Sequence, residues 1–288
     1  QLEIIRAEHS GFCFGVQKAI DKTFERIDEA KRDCRTTYTC GNLIHNKAVI
    51  NKVASKGVCM ISSLDEATSG DVVIVRSHGE PKEFYDKAEN YGIELVDTTC
   101  VFVKKIHELV YKAYLDCRPV IIVGSADHQE VKATNGWCNY TAIILENAQE
   151  ARDYAKNCCV NQIPLVVCQT TIRRELLDSI IEVFDEAAIP YEIKNTICNA
   201  TRDRQESCAE LAAKVDCMVV IGDPSSSNSK KLYEIANNNC KNAMFIQDIS
   251  DLELKELYNY NKIGVTAGAS TPEWIIKEVI ASMSENVT

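Results

Sequence analysis

A cysteine stands at the same kind of junction three times in this chain, and this repetition constrains the fold more than any other feature. Each junction joins an apolar run typical of a strand, a short polar turn and a helix with one apolar face. The cysteines are Cys13, Cys100 and Cys198. They lie 87 and 98 positions apart, which indicates that a unit of about this length occurs three times.

The segments around the cysteines support this repeat, because each unit predicts four strands, and a polar turn follows the second and the fourth of them. We predict strands at residues 2–7, 38–41, 58–60, 72–75, 93–96, 120–124, 142–145, 165–168, 191–193, 218–222, 244–246 and 263–265. Strands that alternate with helices form parallel sheets, which bind ligands beyond the carboxyl ends of their strands. The sequence therefore predicts three α/β modules whose polar turns face one cavity.

Composition excludes several classes of function. The 288-residue chain is 45% hydrophobic and 26% charged, and no apolar run approaches the about 20 residues that cross a bilayer. The net charge of −10, without a block of Lys or Arg among aromatics, is not that of a nucleic-acid binder. With no secretory leader at its start, we expect a cytoplasmic protein that binds neither membrane nor nucleic acid.

Fourteen cysteines would indicate a disulfide scaffold in a small secreted protein, but here they are diluted in a large α/β chain. We therefore expect reduced thiols. A mostly structural role is expected for the cysteines outside the three junctions, namely Cys34, Cys40, Cys59, Cys117, Cys138, Cys158, Cys159, Cys168, Cys208, Cys217 and Cys240.

The three junction cysteines favour a metal cluster. A helix N-terminus stabilises the thiolate, which is the form that binds metals. Lone cysteines on separate turns do not fit a structural zinc site, whose ligands usually come in close pairs. Three thiolates on an iron–sulfur cube leave one iron without a protein ligand, where a substrate can bind. For any one cysteine alone, a buried apolar role stays open.

The polar turns carry hydrogen-bond donors at predicted helix N-termini, where phosphate groups are favoured. No Arg or Lys stands among these donors, which favours a small enclosed diphosphate site over a groove for a long polyanion. The candidates are His45, His78, His128, Ser226, Ser227, Asn228 and Ser270. His9 and His107 fall outside the pattern, and we expect them to have no role in the site.

Two interpretations of Glu130 stay open from the residues alone. Apart from Asp97 and Asp127, Glu130 is the only carboxylate at the centre of these turns. It could act as a general acid, with the hydroxyl of Thr170 as a relay. Alternatively, it is an acidic residue that favours the first turn of the helix after His128.

Together these motifs resemble one family, the 4-hydroxy-3-methylbut-2-enyl diphosphate reductases, which catalyse the last step of the non-mevalonate isoprenoid pathway. Two positions depart from the family pattern, because Val101 and Gln129 stand where proline is common, and they put only local loop geometry in doubt. The matching segments run in the family's order and span nearly the whole chain, at residues 11–16, 44–46, 77–79, 97–100, 128–131, 169–171, 197–201 with 204–205, 226–228 and 266–270.

The resemblance implies a site and a reaction. Cys13, Cys100 and Cys198 would hold a [4Fe–4S] cluster, and Glu130 and Thr170 would serve the allylic hydroxyl as catalytic residues. The reaction is the reductive dehydroxylation of (E)-4-hydroxy-3-methylbut-2-enyl diphosphate to isopentenyl and dimethylallyl diphosphate. The expected partners are this substrate and a ferredoxin or flavodoxin as electron donor. The substrate-binding residues would be His45, His78, His128, Thr170, Ser226, Ser227, Asn228 and Ser270.

The implied fold is a trefoil of three small α/β modules with parallel sheets around a pseudo-threefold axis, with the active site at the centre. We expect modules at residues 14–97, 98–195 and 196–288. The resemblance alone joins residues 1–13 to the third module as an additional strand.

Two other functions stay open. Another three-module cluster enzyme, such as quinolinate synthase, would need basic residues for a dicarboxylate, and these turns lack them. A non-enzymatic iron–sulfur or redox-sensing protein would not need three histidines and a Ser-Ser-Asn loop near the cluster.

Overall fold

The computed structural model describes residues 2–158, 162–257 and 259–285, in which strands and helices alternate along the chain. The strands are β1 (Glu3–Arg6), β2 (Thr37–Cys40), β3 (Cys59–Ile61), β4 (Val72–Val75), β5 (Glu94–Asp97), β6 (Val120–Val123), β7 (Ile143–Leu145), β8 (Leu165–Cys168), β9 (Glu192–Ile193), β10 (Cys217–Ile221), β11 (Ala243–Ile246) and β12 (Lys262–Ala267). The helices are α1 (Phe14–Arg32), α2 (Lys47–Ser55), α3 (Lys82–Tyr91), α4 (Val101–Leu115), α5 (Gln129–Gly136), α6 (Ala148–Asn157), α7 (Arg174–Glu186), α8 (Asn199–Ala212), α9 (Ser227–Asn239), α10 (Leu254–Leu257) and α11 (Glu273–Glu285).

These strands form three parallel four-stranded sheets, with the orders β3-β2-β4-β5, β7-β6-β8-β9 and β1-β12-β10-β11. Every strand predicted from the sequence is present, with its ends within two residues of the prediction. The predicted fold class, α/β with three parallel sheets, is confirmed.

Four of the inner strands are apolar throughout, as expected for parallel strands that are covered on both faces. Every residue of β4, β6, β8 and β10 is buried. In β10, Cys217, Val219 and Ile221 pack into one apolar cluster, whereas Met218 and Val220 pack into another on the opposite face. Each such sheet therefore separates two layers of core and leaves its carboxyl-end turns as the place for polar chemistry.

The described residues divide into two compact units. The first unit comprises residues 1–17, 44–53 and 199–288, and the second comprises residues 18–43 and 54–198. The sheet of β10, β11 and β12 lies in the first unit, where β1 pairs with β12 from Glu3 opposite Lys262 to Arg6 opposite Val265. The module boundaries at 14–97, 98–195 and 196–288 stay a prediction.

Each junction cysteine immediately precedes a helix. Cys13 comes before α1, Cys100 is the N-cap residue of α4, and Cys198 comes before α8. All three side chains are half-buried. The sequence pattern thus placed each cysteine at a helix start, where backbone N–H groups have no intrahelical acceptor.

All cysteines in the described ranges are free thiols, and Cys159 lies outside those ranges. Cys138, Cys168, Cys208, Cys217 and Cys240 are buried, as a structural role requires, whereas Cys40 and Cys158 are half-buried and Cys34, Cys59 and Cys117 are exposed. No helix in the described part of the chain is long and apolar enough to cross a bilayer.

Val101 and Gln129, the two residues that depart from the family pattern, occupy the first positions of α4 and α5. Proline suits this position because its missing N–H would have no intrahelical acceptor there. The preceding residues, Cys100 and His128, have ψ angles of 138° and 136°, which are the extended values that a following proline requires. The backbone is therefore already compatible with proline at both sites.

We expect Val101→Pro and Gln129→Pro each to raise the free energy of unfolding by about 0.4–1 kcal/mol, because proline restricts the unfolded chain. Lys105→Pro, in the interior of α4, should instead lower it by about 3 kcal/mol or more. Urea unfolding followed by circular dichroism measures all three. A loss at position 101 as large as that at position 105 would contradict the helix start described above.

Candidate active site

In the first unit, the turns after β10 and β12 are joined by hydrogen bonds. The Ala269 N–H donates to Asn228 Oδ1 at 2.9 Å, and Ser270 Oγ donates to the His45 carbonyl at 2.9 Å. His45 Nδ1 lies 3.2 Å from Ser225 Oγ. The structure thus brings His45, Asn228 and Ser270 into one polar group. Ser225 joins this group, although sequence reasoning did not assign it.

The start of α9 contributes the remaining serines and an unsatisfied donor. Ser226 caps the helix by accepting from the Ser229 N–H at 3.3 Å, and Ser227 is its first residue. Asn228 is buried, and its Nδ2 has no hydrogen-bond partner among the described residues. Because Oδ1 is engaged by Ala269, the amide is oriented with Nδ2 as a donor. A buried donor left unpaired costs about 1–3 kcal/mol, so this group fits an anionic ligand that accepts from it.

Cys13 belongs to the same unit and shares a neighbour with this polar group. Its N–H donates to the Ala269 carbonyl at 3.3 Å, and its Sγ accepts from the Val16 N–H at 3.4 Å. Ala269 therefore bonds to the Cys13 turn through its carbonyl and to Asn228 through its N–H. A cysteine sulfur at a helix start, next to polar turns, is well placed to bind a metal.

In the second unit, the carboxylate of Glu130 is held by Thr170 and not by its own helix. Its Oε1 accepts from the Thr170 N–H at 2.6 Å, and its Oε2 accepts from Thr170 Oγ1 at 2.7 Å. The helix start is instead capped by His128, whose Nδ1 accepts from the Glu130 N–H at 3.2 Å. The Thr170 carbonyl in turn accepts from the Cys198 N–H at 3.0 Å, so Glu130, Thr170 and Cys198 form one connected group.

Burial sets the acidity of Glu130. The side chain is only 2% exposed, and this burial raises its pKa to about 7, although the two hydrogen bonds from Thr170 act in the opposite direction. Both protonation states are therefore populated near neutral pH, as a general acid requires.

The two aspartates that the sequence places near Glu130 have different surroundings. Burial acts to raise the pKa of Asp97, but hydrogen bonds from Lys104 and Thr99 outweigh it and lower that pKa. The side chain of Asp127 is 99% exposed. Glu130 is therefore the best candidate proton donor of the three.

His78 and His128 come together in the second unit. Their ring centroids lie 5.5 Å apart with the rings nearly perpendicular. Because His128 Nδ1 accepts a hydrogen bond, its neutral imidazole carries the proton on Nε2. The residue before His78 is Ser77, whose carbonyl accepts from the Cys100 N–H at 3.0 Å. The second junction cysteine therefore adjoins the turn of His78.

The turn of His78 has supports that sequence reasoning missed. Arg76 pairs with the buried Glu80, so its charge is compensated within the turn. The Trp137 Nε1–H donates to the Glu80 carbonyl at 3.0 Å, and the buried His107 stacks on Trp137 with ring centroids 5.2 Å apart. A Cβ at Gly79 would lie 2.4 Å from His107 Cε1. His107 thus has the structural role expected of it, and the exposed His9 lies outside this group.

Each junction cysteine by itself offers one thiol, which is what a single iron of a cluster requires. No three His, Cys, Asp or Glu side chains in the described ranges are arranged to hold one metal ion. An iron–sulfur cube makes a different demand, because each thiolate binds a separate iron. Three half-buried thiols, each one residue before a helix, fit this chemistry.

Comparison with known proteins identifies the family. The sequence matches a family described as LytB protein over residues 4–284. A relative from Thermoanaerobacter sp. (strain X514), named 4-hydroxy-3-methylbut-2-enyl diphosphate reductase, is 42% identical over 97% of this chain and 96% of its own length. This chain belongs to the LytB family. The family predicted from the motifs is confirmed, and the alternatives of a quinolinate synthase and a redox sensor are set aside.

Two solved structures resemble this LytB chain. One is the E-1-hydroxy-2-methyl-but-2-enyl-4-diphosphate reductase from Plasmodium falciparum, with a TM-score of 0.91 and 27% identity over 99% of this chain and 88% of that one. The other is a (E)-4-hydroxy-3-methyl-but-2-enyl diphosphate reductase described as the terminal enzyme of the non-mevalonate pathway. It has a TM-score of 0.72 and 36% identity over 99% of this chain and 100% of that one.

The raised pKa of Glu130 predicts a pH-dependent stability. The folded chain keeps this proton up to about pH 7, whereas the unfolded chain releases it near the ordinary value of 4.5. Folding therefore favours the protonated carboxyl, and the stability that this group contributes is lost as pH rises through that window. Glu130→Gln cannot ionise, yet it can accept from the Thr170 N–H and donate to Thr170 Oγ1. We expect this variant to gain stability relative to wild type between pH 5 and pH 8.

Urea unfolding of the cluster-free protein at both pH values measures the difference. The control is Glu182→Gln, which changes an exposed glutamate on α7 and should follow the wild-type profile. Parallel pH profiles for wild type and Glu130→Gln would contradict the assignment.

Proposed function

We propose that this chain reduces (E)-4-hydroxy-3-methylbut-2-enyl diphosphate to isopentenyl diphosphate and dimethylallyl diphosphate, the last step of the non-mevalonate isoprenoid pathway. It is an oxidoreductase of the LytB family. The observation that carries the proposal is the buried Glu130 carboxyl with a pKa of about 7, joined through Thr170 to the turn of Cys198. This arrangement offers a proton beside the turn of Cys198, which we assign to the cluster below.

We assign Cys13, Cys100 and Cys198 as the ligands of a [4Fe–4S] cluster. When bound, the cluster would supply electrons and a Lewis-acidic iron without a protein ligand. The chain's own contribution is to keep three half-buried thiols directly before helix starts. The electrons come from outside, because one cluster holds too few for a complete two-electron reduction. We assign this role to a cytoplasmic ferredoxin or flavodoxin.

The diphosphate is assigned to neutral donors and helix N-termini. His45, Ser226, Ser227, Asn228 and Ser270 in the first unit, with His78 and His128 in the second, provide imidazole, hydroxyl and amide donors. Asn228 is the best supported of them, since its buried Nδ2 lacks a partner and its orientation is fixed by Ala269. Arg76, the cation nearest in sequence to His78, is paired with Glu80 and so does not alter this assignment.

The hydrogen bond between Glu130 and Thr170 provides a route for a proton to the substrate hydroxyl. Reductive dehydroxylation consumes two electrons and two protons: one proton leaves with the hydroxyl as water, and the other is added to carbon. When Glu130 is protonated, its carboxyl donates to Thr170 Oγ1, and the threonine hydroxyl can then donate to the substrate hydroxyl. The Thr170 N–H continues to hold Oε1 during this exchange. Protonation of either end of the resulting allyl fragment gives the two products.

Glu130→Gln tests proton delivery, because glutamine keeps the shape of the carboxyl and cannot release a proton. We expect an intact cluster and normal substrate binding, with a loss of at least about a hundredfold in turnover, as for removal of a general acid. Anaerobic reconstitution followed by turnover of the hydroxylated allylic diphosphate measures it. Near wild-type turnover with an intact cluster would mean that another group or water supplies the proton.

Asn228→Ala tests the diphosphate assignment. Loss of a hydrogen bond to a charged group costs about 1.5–3 kcal/mol, so the substrate dissociation constant should rise by about 10–150-fold. Asn238→Ala, on the exposed side of the same helix, should bind as wild type does. Titration calorimetry under anaerobic conditions compares the two, and equal affinities would refute the role of Asn228.

A further inference from the structure

The turn that carries Cys13 is held by a buried arginine. Gly11 N–H donates to the Ala267 carbonyl at 3.0 Å, and Cys13 N–H donates to the Ala269 carbonyl, so the turn continues the pairing of β1 with β12. The Gly11 carbonyl accepts from Arg204 twice, from Nε at 3.1 Å and from Nη2 at 2.8 Å. The turn is thus fixed on both sides.

Arg204 also bonds to the helix on which it lies. Its Nη1 donates to the Ala200 carbonyl at 2.6 Å, in the first turn of α8. This helix begins one residue after Cys198. A single guanidinium therefore fixes the distance between the start of α8 and the Gly11 carbonyl, two residues before Cys13. Gly11 itself has a φ of 83°, and a Cβ there would lie 2.7 Å from Ile276 Cδ1. This position therefore has little room for a larger residue.

Two neighbouring arginines show what distinguishes Arg204. Arg202 on the same helix is 59% exposed and pairs with acidic residues of its own helix. Arg6 also contacts the turn, through Ser10, but its side chain is 34% exposed and its main partner is Glu273. Arg204 is only 6% exposed. Burying a guanidinium is expensive unless its hydrogen bonds are made, and these bonds are made to the backbone around the cysteine turns.

We propose that Arg204 is a positioning residue for the iron–sulfur cluster: it holds the Cys13 turn at a fixed place relative to the start of α8. The proposal rests on the cluster assigned above. Residues that orient metal ligands typically contribute about 10–100-fold to metal affinity or activity, because a ligand that can move binds its metal less well. Arg204→Met keeps most of the apolar stem and removes every donor. Arg204→Lys keeps the charge and can make one of the bonds to Gly11.

The test compares iron release to a chelator from anaerobically reconstituted wild type, Arg204→Met and Arg204→Lys. We expect Arg204→Met to lose iron about 10–100-fold faster than wild type and Arg204→Lys to be intermediate. Arg202→Met, the matched exposed control, should release iron at the wild-type rate. The electron paramagnetic resonance spectrum of the reduced cluster should change in Arg204→Met and not in Arg202→Met. If Arg204→Met does not fold, Arg204→Lys carries the comparison.

Leu232→Ala distinguishes a positioning role of Arg204 from a general loss of stability, because it changes the core in α9 of the same unit. Urea unfolding of each cluster-free variant measures its loss of stability, so that iron release rates can be compared between variants of equal stability. The proposal is overturned if Arg204 variants release iron at the wild-type rate, or no faster than Leu232→Ala at equal loss of stability. If wild type takes up no iron and sulfide at all, the cluster assignment fails first, before any variant is compared.

Discussion

The arrangement of the polar turns depends on the backbone N–H groups at the starts of helices that follow parallel strands, because these groups have no intrahelical acceptor. Three of these starts are capped by three different chemical groups. Ser226 uses a hydroxyl, His128 an imidazole nitrogen and Cys13 a sulfur, and each accepts from an N–H two or three residues later. One backbone requirement thus places three side chains of different chemistry at helix starts. The fold supplies the positions, and the side chain at each position supplies the chemistry.

The strands and the polar turns could be predicted from the sequence because each depends on neighbouring residues. A strand buried on both faces is a short continuous apolar run, as in Val72–Val75 and Val120–Val123, and the polar residue after it marks the turn. The cysteine repeat then indicates that the runs belong to equivalent units. These are local signals, which explains why the predicted strand ends lie within two residues of the observed ones.

The supports of the site could not be predicted because they join residues far apart in the chain. Arg204 reaches Gly11 across 193 positions, and Trp137 reaches Glu80 across 57. No local pattern marks either pair. Glu130 shows the same limit within the site. The residues alone leave Glu130 either as an acid with Thr170 as its relay or as a helix-start carboxylate, and only the contact with Thr170, 40 positions away, shows which group holds the carboxylate.

The polar groups of the site lower the stability of the ligand-free protein, and the same groups are the ones assigned to its function. Burial of Glu130 disfavours the charged carboxylate, while two hydrogen bonds from Thr170 favour it, and the balance leaves the pKa near neutrality. Less burial would leave the group ionised and unable to give a proton at pH 7. The unpaired Nδ2 of Asn228 is a similar cost that folding alone does not recover. Under the assignment proposed above, an anionic substrate that accepts from Nδ2 would recover this cost on binding.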